Sequence, residues 1–531
     1  MYVGRSPRVS AGVGESGDAC SVITDRGADS GDVYGVITAH GAASGDDERE
    51  SAGNEAESAG GADERAGDEG ESADNGDMSR EKHGVVADHD NVVADRHGPG
   101  ERYGVAFDIG TTNIEAVLVS LPAGTGHGRR TPGGAGVARG VRAGAELARR
   151  QMSNPQSKYG TDILSRIVAA RDPDVARELH TMVIGALDSL LGHVVGEAAA
   201  VSDVPLRVAR LVAVGNPAMY AFLRGISGEA LAHPPYDLGI TDDVTVPARD
   251  LFSSIDDSGS AASLVLERDA LFYIPAPIAS FCGSDALGLI LATGIDRART
   301  VKLAIDIGTN GEIALSDGKT IRIASVASGP AFEGGHLSCG MAAVEGAIYR
   351  VDRSDGGLSY RVIGGGSPRG VCGSGVIDLL AELVRAGTID ANGLFPRRTG
   401  HALAPGVRLS QDDVAAVQLA KAAFAGGILT LVERAKKRAS AIRRVWVSGR
   451  FGSYLNPENA QAIGLLPPGI DPRCVELVGN GALEGAKLLL EERTKRRVAS
   501  VREKMKHVPL SGSARFNRHF VAHMRFPGRA G

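Results

Sequence analysis

Two short stretches carry residue types and spacings suited to holding a phosphate. AFDIGTTNIEA occupies residues 106–116 and AIDIGTNGEI occupies residues 304–313. In each, an apolar run ends on an aspartate (Asp108 or Asp306) two residues before a glycine (Gly110 or Gly308). Hydroxyl and amide donors follow: Thr111 and Thr112 in the first, Thr309 and Asn310 in the second. Glycine has no Cβ, so neighbouring backbone amides can approach an anion closely. A carboxylate at a strand end suits Mg²⁺, which takes oxygen ligands and keeps several waters. Asp108 and Asp306 are therefore the expected metal-binding and phosphate-orienting carboxylates, and the six turn residues are the expected nucleotide contacts. Glu312, four residues past Gly308, could orient an attacking water or be an ordinary surface-strand glutamate. Phosphoryl transfer depends mainly on positioning and electrostatics, so a water-orienting carboxylate is enough. One Asp-x-Gly-Thr turn is weak, because an aspartate often only bonds turn amides. Two copies 198 residues apart give the motif a purpose: facing hairpins that grip one nucleotide from both sides.

The elements that must position these turns follow in order. YGVAFDIG reads as a buried strand from Tyr103, and NIEAVLVSL as its returning partner. Residues 161–198 carry two helical patterns, the first capped by Thr161 or Asp162. Residues 211–226 read strand, turn, helix, and residues 277–295 a helix after a loop, where Asp285 could face the cleft but is better read as a capping residue. A second half restarts with three β-rich runs from Val301. Ser410 to Ala439 has apolar residues at helical spacing, with Lys421 read as a solvated lysine. VWVSG (445–449) is a buried strand, and Asn480 to Glu492 a last helix. Strands alternating with helices in both halves give an α/β class.

Composition divides the chain. It has 531 residues, 43% hydrophobic and 23% charged, ordinary for a globular protein of several domains. Residues 1–100 hold 22 Asp+Glu against 8 Lys+Arg, and residues 40–80 have no aromatic residue. Such a segment cannot offset roughly 1–2 kcal/mol of backbone entropy per residue, so 1–100 is expected to be a disordered acidic extension. Residues 491–531 hold 11 Lys+Arg against 3 Glu and are expected to be a frayed basic tail without the aromatic interleaving of a nucleic-acid binder. The N-terminus has no signal-peptide core and no apolar run reaches ~18 residues, so no membrane is expected. The five cysteines are scattered, which fits a reducing cytoplasm.

The paired Asp-x-Gly hairpins resemble those of the actin, heat-shock-chaperone and sugar-kinase ATPases. The match narrows along YGTDILSRI (159–167), VGNPAMYAFLRGI (214–226), CGSDALGLILATGI (282–295), SGPAFEGGHLSCGM (328–341), VCGSGVIDLLAELVRAGTID (371–390) and GRFGSYLNPENAQAIGLLP (449–467). In this order they resemble the middle and C-terminal regions of the reductive activators of corrinoid proteins. The resemblance implies a two-lobed, actin-like (ribonuclease H-like) ATPase fold. Lobes would span residues 101–297 and 298–490, with ATP and Mg²⁺ between them and Gly449 and Gly452 in an adenosine loop. It also implies ATP hydrolysis that drives electrons from an N-terminal [2Fe–2S] domain to a partner's Co(II) corrinoid, returning it to Co(I). Here residues 1–100 contain only Cys20, and such a cluster needs four cysteines. No iron–sulfur cluster is therefore expected, and a separate ferredoxin-like donor is. Pro217 and Arg450 stand where the family pattern has Thr and often Gly. The expected partner is a corrinoid-containing protein; a homodimer is left open. The rival readings are a metabolite kinase of the same fold and a non-catalytic nucleotide-gated binding module.

Overall fold

The computed structural model describes residues 102–121, 144–202, 205–253, 260–354, 357–396, 400–449 and 454–528. The acidic extension, Arg450 and Gly452 lie outside them.

In the strand β1 (Arg102–Ile109), Val105, Phe107 and Ile109 enter one core while Ala106 enters another. A strand buried on both faces belongs in the middle of a covered sheet. Around it stand β2 (Asn113–Leu121), β3 (Glu146–Ser153), β4 (Val208–Gly215), β5 (Val244–Pro247) and β6 (Leu266–Ile274), in the order β3-β2-β1-β4-β6-β5. β1 runs antiparallel to β2 and parallel to β4.

The second half repeats this plan. β7 (Lys302–Asp306), β8 (Asn310–Ser316) and β9 (Ile321–Ala327) form the meander. A small sheet of β10 (Ala347–Ser354), β11 (Gly357–Val362) and β12 (Gly370–Val371) and a hairpin of β13 (His401–Ala404) and β14 (Val407–Leu409) are inserted next. The main sheet then resumes with β15 (Val445–Ser448), β16 (Val475–Leu477) and β17 (Met505–His507), in the order β16-β15-β7-β8-β9-β17. β7 pairs with β8 antiparallel and with β15 parallel, as β1 does with β2 and β4. The α/β, actin-like duplication expected from the two hairpins is present.

Local signals explain several boundaries. Asp162 caps the Ile163–Ala169 helix by accepting from the Ser165 amide. Ser410 and Asp413 form a reciprocal capping box at the start of the Gln411–Arg434 helix. That helix and the Pro173–Ala199 helix are long and apolar enough to cross a membrane by length and composition. Both instead line cores, through residues such as Leu187 and Leu191 in one and Phe424 and Ile428 in the other.

The lobes meet through two helices, Ser284–Thr293 and Gly481–Leu489. A Cβ on Gly485 would stand 2.0 Å from the Gly288 carbonyl oxygen, and one on Gly288 would stand 2.5 Å from that of Ala482. Only glycine permits this approach. The pair fills a shared core with Ala106, Val117 and Val212 of the first sheet and Ala304, Ala314 and Trp446 of the second.

The C-terminal region corrects the expectation of a frayed basic tail. Residues Glu492–Lys504 form a helix, β17 adds to the second sheet beside β9, and Ala514–Ala522 form a further helix. The Gly481–Leu489 helix is therefore not the last. The positive charges find acceptors: Arg497 donates to Asp296 at 2.7 Å and Arg502 to Asp243 at 2.8 Å. Lys421 is not solvated either. It is fully buried and donates to the carbonyls of His523 and Arg525, with the Phe526 ring 5.0 Å away.

Candidate functional site

The two hairpin turns face each other. The Thr112 and Thr309 hydroxyl oxygens are 3.3 Å apart, and Asn310 Nδ2 donates to Thr111 Oγ1 at 3.3 Å. Glu333 lies between them, accepting from Thr309 at 2.5 Å and from Thr112 at 3.4 Å. The first turn is closed by the Gly110 amide donating to the Asn113 carbonyl at 2.9 Å. A Cβ on Gly110 would sit 2.8 Å from that oxygen. At Gly308 a Cβ would meet nothing nearer than 3.3 Å, so space rather than strain distinguishes the second turn.

Asp108 lies directly across the strands from Glu115, and Asp306 directly across from Glu312. The two pairs have different surroundings. Asn480 Nδ2 donates to both Asp108 and Glu115, each at 2.8 Å. Arg149 adds an ion pair to Glu115 at 3.2 Å and another to Glu484 at 2.6 Å. Around the second pair the opposing side-chain hydrogen bonds come from hydroxyls, Ser448 for Asp306 and Ser325 for Glu312. Burial pushes Asp306 up to about 7, and the negative charge of Asp108 adds to the shift. The Ser448 hydroxyl opposes it. Glu312 is 5% exposed and is pushed well above the carboxylate range by burial and by the charges of Asp285 and Asp306. Its Oε1 has no hydrogen-bond partner. The surface-strand reading of Glu312 therefore fails, since β8 is covered on both faces.

Asp285, expected to cap a helix, joins this group instead. Its helix starts after Gly283 with no side-chain cap. Burial pushes Asp285 up to about 7, and the charges of Asp108 and Asp306 push the same way. Sequence pattern leaves the two roles open, because a carboxylate at a helix start looks the same whether it faces a cap or a cleft.

Gly449 follows β15, whose Ser448 registers with Asp306. It has φ 128°, and a Cβ there would lie 2.6 Å from the Ile307 carbonyl oxygen. Glycine is thus required where the second hairpin meets the next loop. Pro217 begins a helix at its first position, where its missing N–H is harmless, and Asn216 supplies the cap. Among the described residues no three His, Cys, Asp or Glu side chains form a ready metal cage, and Cys282, Cys339 and Cys372 are buried free thiols.

Comparison with known proteins gives this geometry a family. Residues 300–530 match the C-terminal domain of RACo, the ASKHA domain, and residues 139–298 match the RACo middle region. A solved structure, "Reductive activator for corrinoid,iron-sulfur protein", superposes with a TM-score of 0.68 at 30% identity, over 81% of this chain and 67% of that one. This chain belongs to the reductive activators of corrinoid proteins. Two further members of the family are similar. The corrinoid activation enzyme RamQ of Eubacterium limosum is 30% identical over 418 residues, covering 73% of this chain. The [Co(II) methylated amine-specific corrinoid protein] reductase of Methanosarcina barkeri is 27% identical over 360 residues, covering 61% of this chain. The chain spans 64% of the length of each of these relatives. The family's C-terminal domain extends over the residues first read as a basic tail, in keeping with their docked helices.

Proposed function

We propose that this chain is a cytoplasmic, ATP-hydrolysing activator that supports reductive reactivation of a corrinoid protein, from Co(II) to Co(I). The observation that carries the reading is the pair of facing turns, Gly110–Thr112 and Gly308–Asn310, backed by Asp108, Asp306 and Glu312. The donor set fits Mg·ATP. Thr112, Thr309 and Asn310 bring donors from both lobes to one gap, and the unpartnered Glu312 Oε1 and raised Asp306 mark unbalanced carboxylates at its floor. A cation there relieves that imbalance. Among the described residues no cage is preformed, which suits an ion held largely through water and phosphate. Asp108 and Asp306 would hold Mg²⁺, which neutralises charge on the phosphate oxygens.

The chain's own residues divide the remaining work. The threonine hydroxyls and turn amides bind and orient the phosphates. Glu312, buried and lacking a partner on one oxygen, orients a water. Gly449 would shape the adenosine loop, a role also assigned to Gly452, which lies outside the described residues. The 3.3 Å contact between Thr112 and Thr309 must open to admit the phosphates, so nucleotide binding and lobe movement are linked. That movement would be transmitted to the partner's cobalt site. These 531 residues contain no four clustered cysteines, so electrons would come from a donor outside them.

The test is thermal unfolding with and without Mg·ATP, followed by turnover with and without a Co(II) corrinoid protein and reductant. At ~100 times Kd, the ligand should add roughly 2.7 kcal/mol, a shift of a few degrees. Asp306→Ala should abolish it. Absence of a shift in the unmodified chain would sink the reading. Turnover that needs a small hydroxylated acceptor instead would identify a metabolite kinase.

A further inference from the structure

Arg166 lies on the Ile163–Ala169 helix, within the segment YGTDILSRI. It is fully buried. Its Nε donates to the Gly160 carbonyl at 2.9 Å and its Nη2 to the Thr111 carbonyl at 2.7 Å. Its Nη1 is buried with no hydrogen-bond partner. Among the described residues no carboxylate forms an ion pair with it; the acidic influence on it is Asp162, the exposed cap of its own helix. Burial lowers its pKa only to about 10, so it remains a cation at neutral pH. A buried guanidinium without a counter-ion is costly, which makes it a candidate for a functional role.

The Thr111 side chain shows where that charge arrives. Its hydroxyl oxygen accepts from Asn216 Nδ2 at 3.2 Å and from Asn310 Nδ2 at 3.3 Å. A hydroxyl has two acceptor sites and one proton. With both acceptor sites used, Thr111 can only donate. Its carbonyl is held by Arg166 from behind. The turn's hydroxyl and carbonyl oxygens are thus both held in place, with a positive charge behind the carbonyl.

We propose that Arg166 is a positioning residue for the first phosphate turn, acting through the Thr111 carbonyl and as an internal counter-charge to a bound polyphosphate. The inference rests on the nucleotide reading above and extends it to a residue that touches no ligand. It predicts that the benefit scales with ligand charge. Binding of Mg·ATP, and of adenosine by competition, is measured for the unmodified chain, Arg166→Gln and Arg166→Lys, after a melting curve for each. Gln keeps a donor and removes the charge; Lys keeps the charge and loses the planar fork. The expected result is that Arg166→Gln weakens Mg·ATP by about tenfold or more and adenosine by less than about twofold, with Arg166→Lys between. Equal weakening of both ligands would make Arg166 a structural residue only and overturn the proposal. So would unchanged Mg·ATP affinity in Arg166→Gln. If one variant does not fold, the ratio of ATP to adenosine affinity in the other decides. Failure of the unmodified chain to bind Mg·ATP refutes the nucleotide reading itself, a result separate from any effect of the variants.

Discussion

The two DIGT hairpins match in backbone and differ in how their carboxylates are kept. In the first, Asp108 and Glu115 share the Asn480 amide, and Arg149 completes the charge balance. In the second, Asp306 and Glu312 sit among hydroxyls and other carboxylates, and their proton affinities rise. The carboxylate pair of the first copy is tied to the opposite lobe through Asn480; that of the second is left electrostatically unsatisfied. A repeat in sequence is therefore not a repeat in role. On the proposed nucleotide reading, the first hairpin would be the anchored wall of the cleft and the second the wall that responds to a cation.

The largest consequence of this asymmetry is in pH dependence. Asp306 has a folded pKa of about 7, above its unfolded value. The native state then binds more protons than the unfolded chain between about pH 4 and 7, so ligand-free stability falls as pH rises through that window. Asp306→Asn should remove a stability difference of up to about 2.7 kcal/mol between pH 5 and 8, about 1.36 kcal/mol for each pH unit below the folded value. Urea unfolding at both pH values measures it. An unchanged slope in Asp306→Asn would mean that the second pair is no less balanced than the first.

Next in size is the anchor. Asn480→Ala removes the amide from Asp108 and Glu115 and also the cap of the Gly481–Leu489 helix, whose Leu483 amide it accepts at 2.9 Å. A loss of about 2–3 kcal/mol is expected in chemical denaturation. No change would show that the lobes are held by the helix pair alone.

The smallest effects form a matched pair at pH 6. Glu115→Gln breaks the ion pair with Arg149 and should destabilise by about 1 kcal/mol. Glu312→Gln replaces a carboxyl whose charged form burial already disfavours, so it should cost less stability than Glu115→Gln while lowering ATP turnover. Equal stability losses in the two variants would erase the comparison.

Much of the framework was legible in the sequence because local rules decide it. The hairpin glycines, the Asp162 cap and the Ser410 start of the long helix depend on neighbours a few residues away. The family blocks from 159 to 467 likewise kept their order. What could not be read depends on contacts between distant residues. Asn480 meets Asp108 across 372 residues, and Arg166 meets Thr111 across 55. Lys421 looked solvated because its helix face is apolar on one side only, yet its ammonium is covered by the carbonyls of His523 and Arg525. The charge count at the C-terminus suggested a loose end because it ignored the acidic residues, Asp243 and Asp296, awaiting it on the first lobe.

The shared core between the lobes has a consequence for biosynthesis. Ala106, Val117 and Val212 belong to strands complete by residue 274, but Leu483 and Ala486, which cover them, come about 210 residues later. At ~5–20 residues per second, that face waits roughly 10–40 s for its cover. The nascent first lobe therefore passes through a long interval with an exposed apolar surface. Ribosome-bound chains halted near residue 300 should be clients of holding chaperones, and those halted beyond residue 490 and clear of the exit tunnel should not.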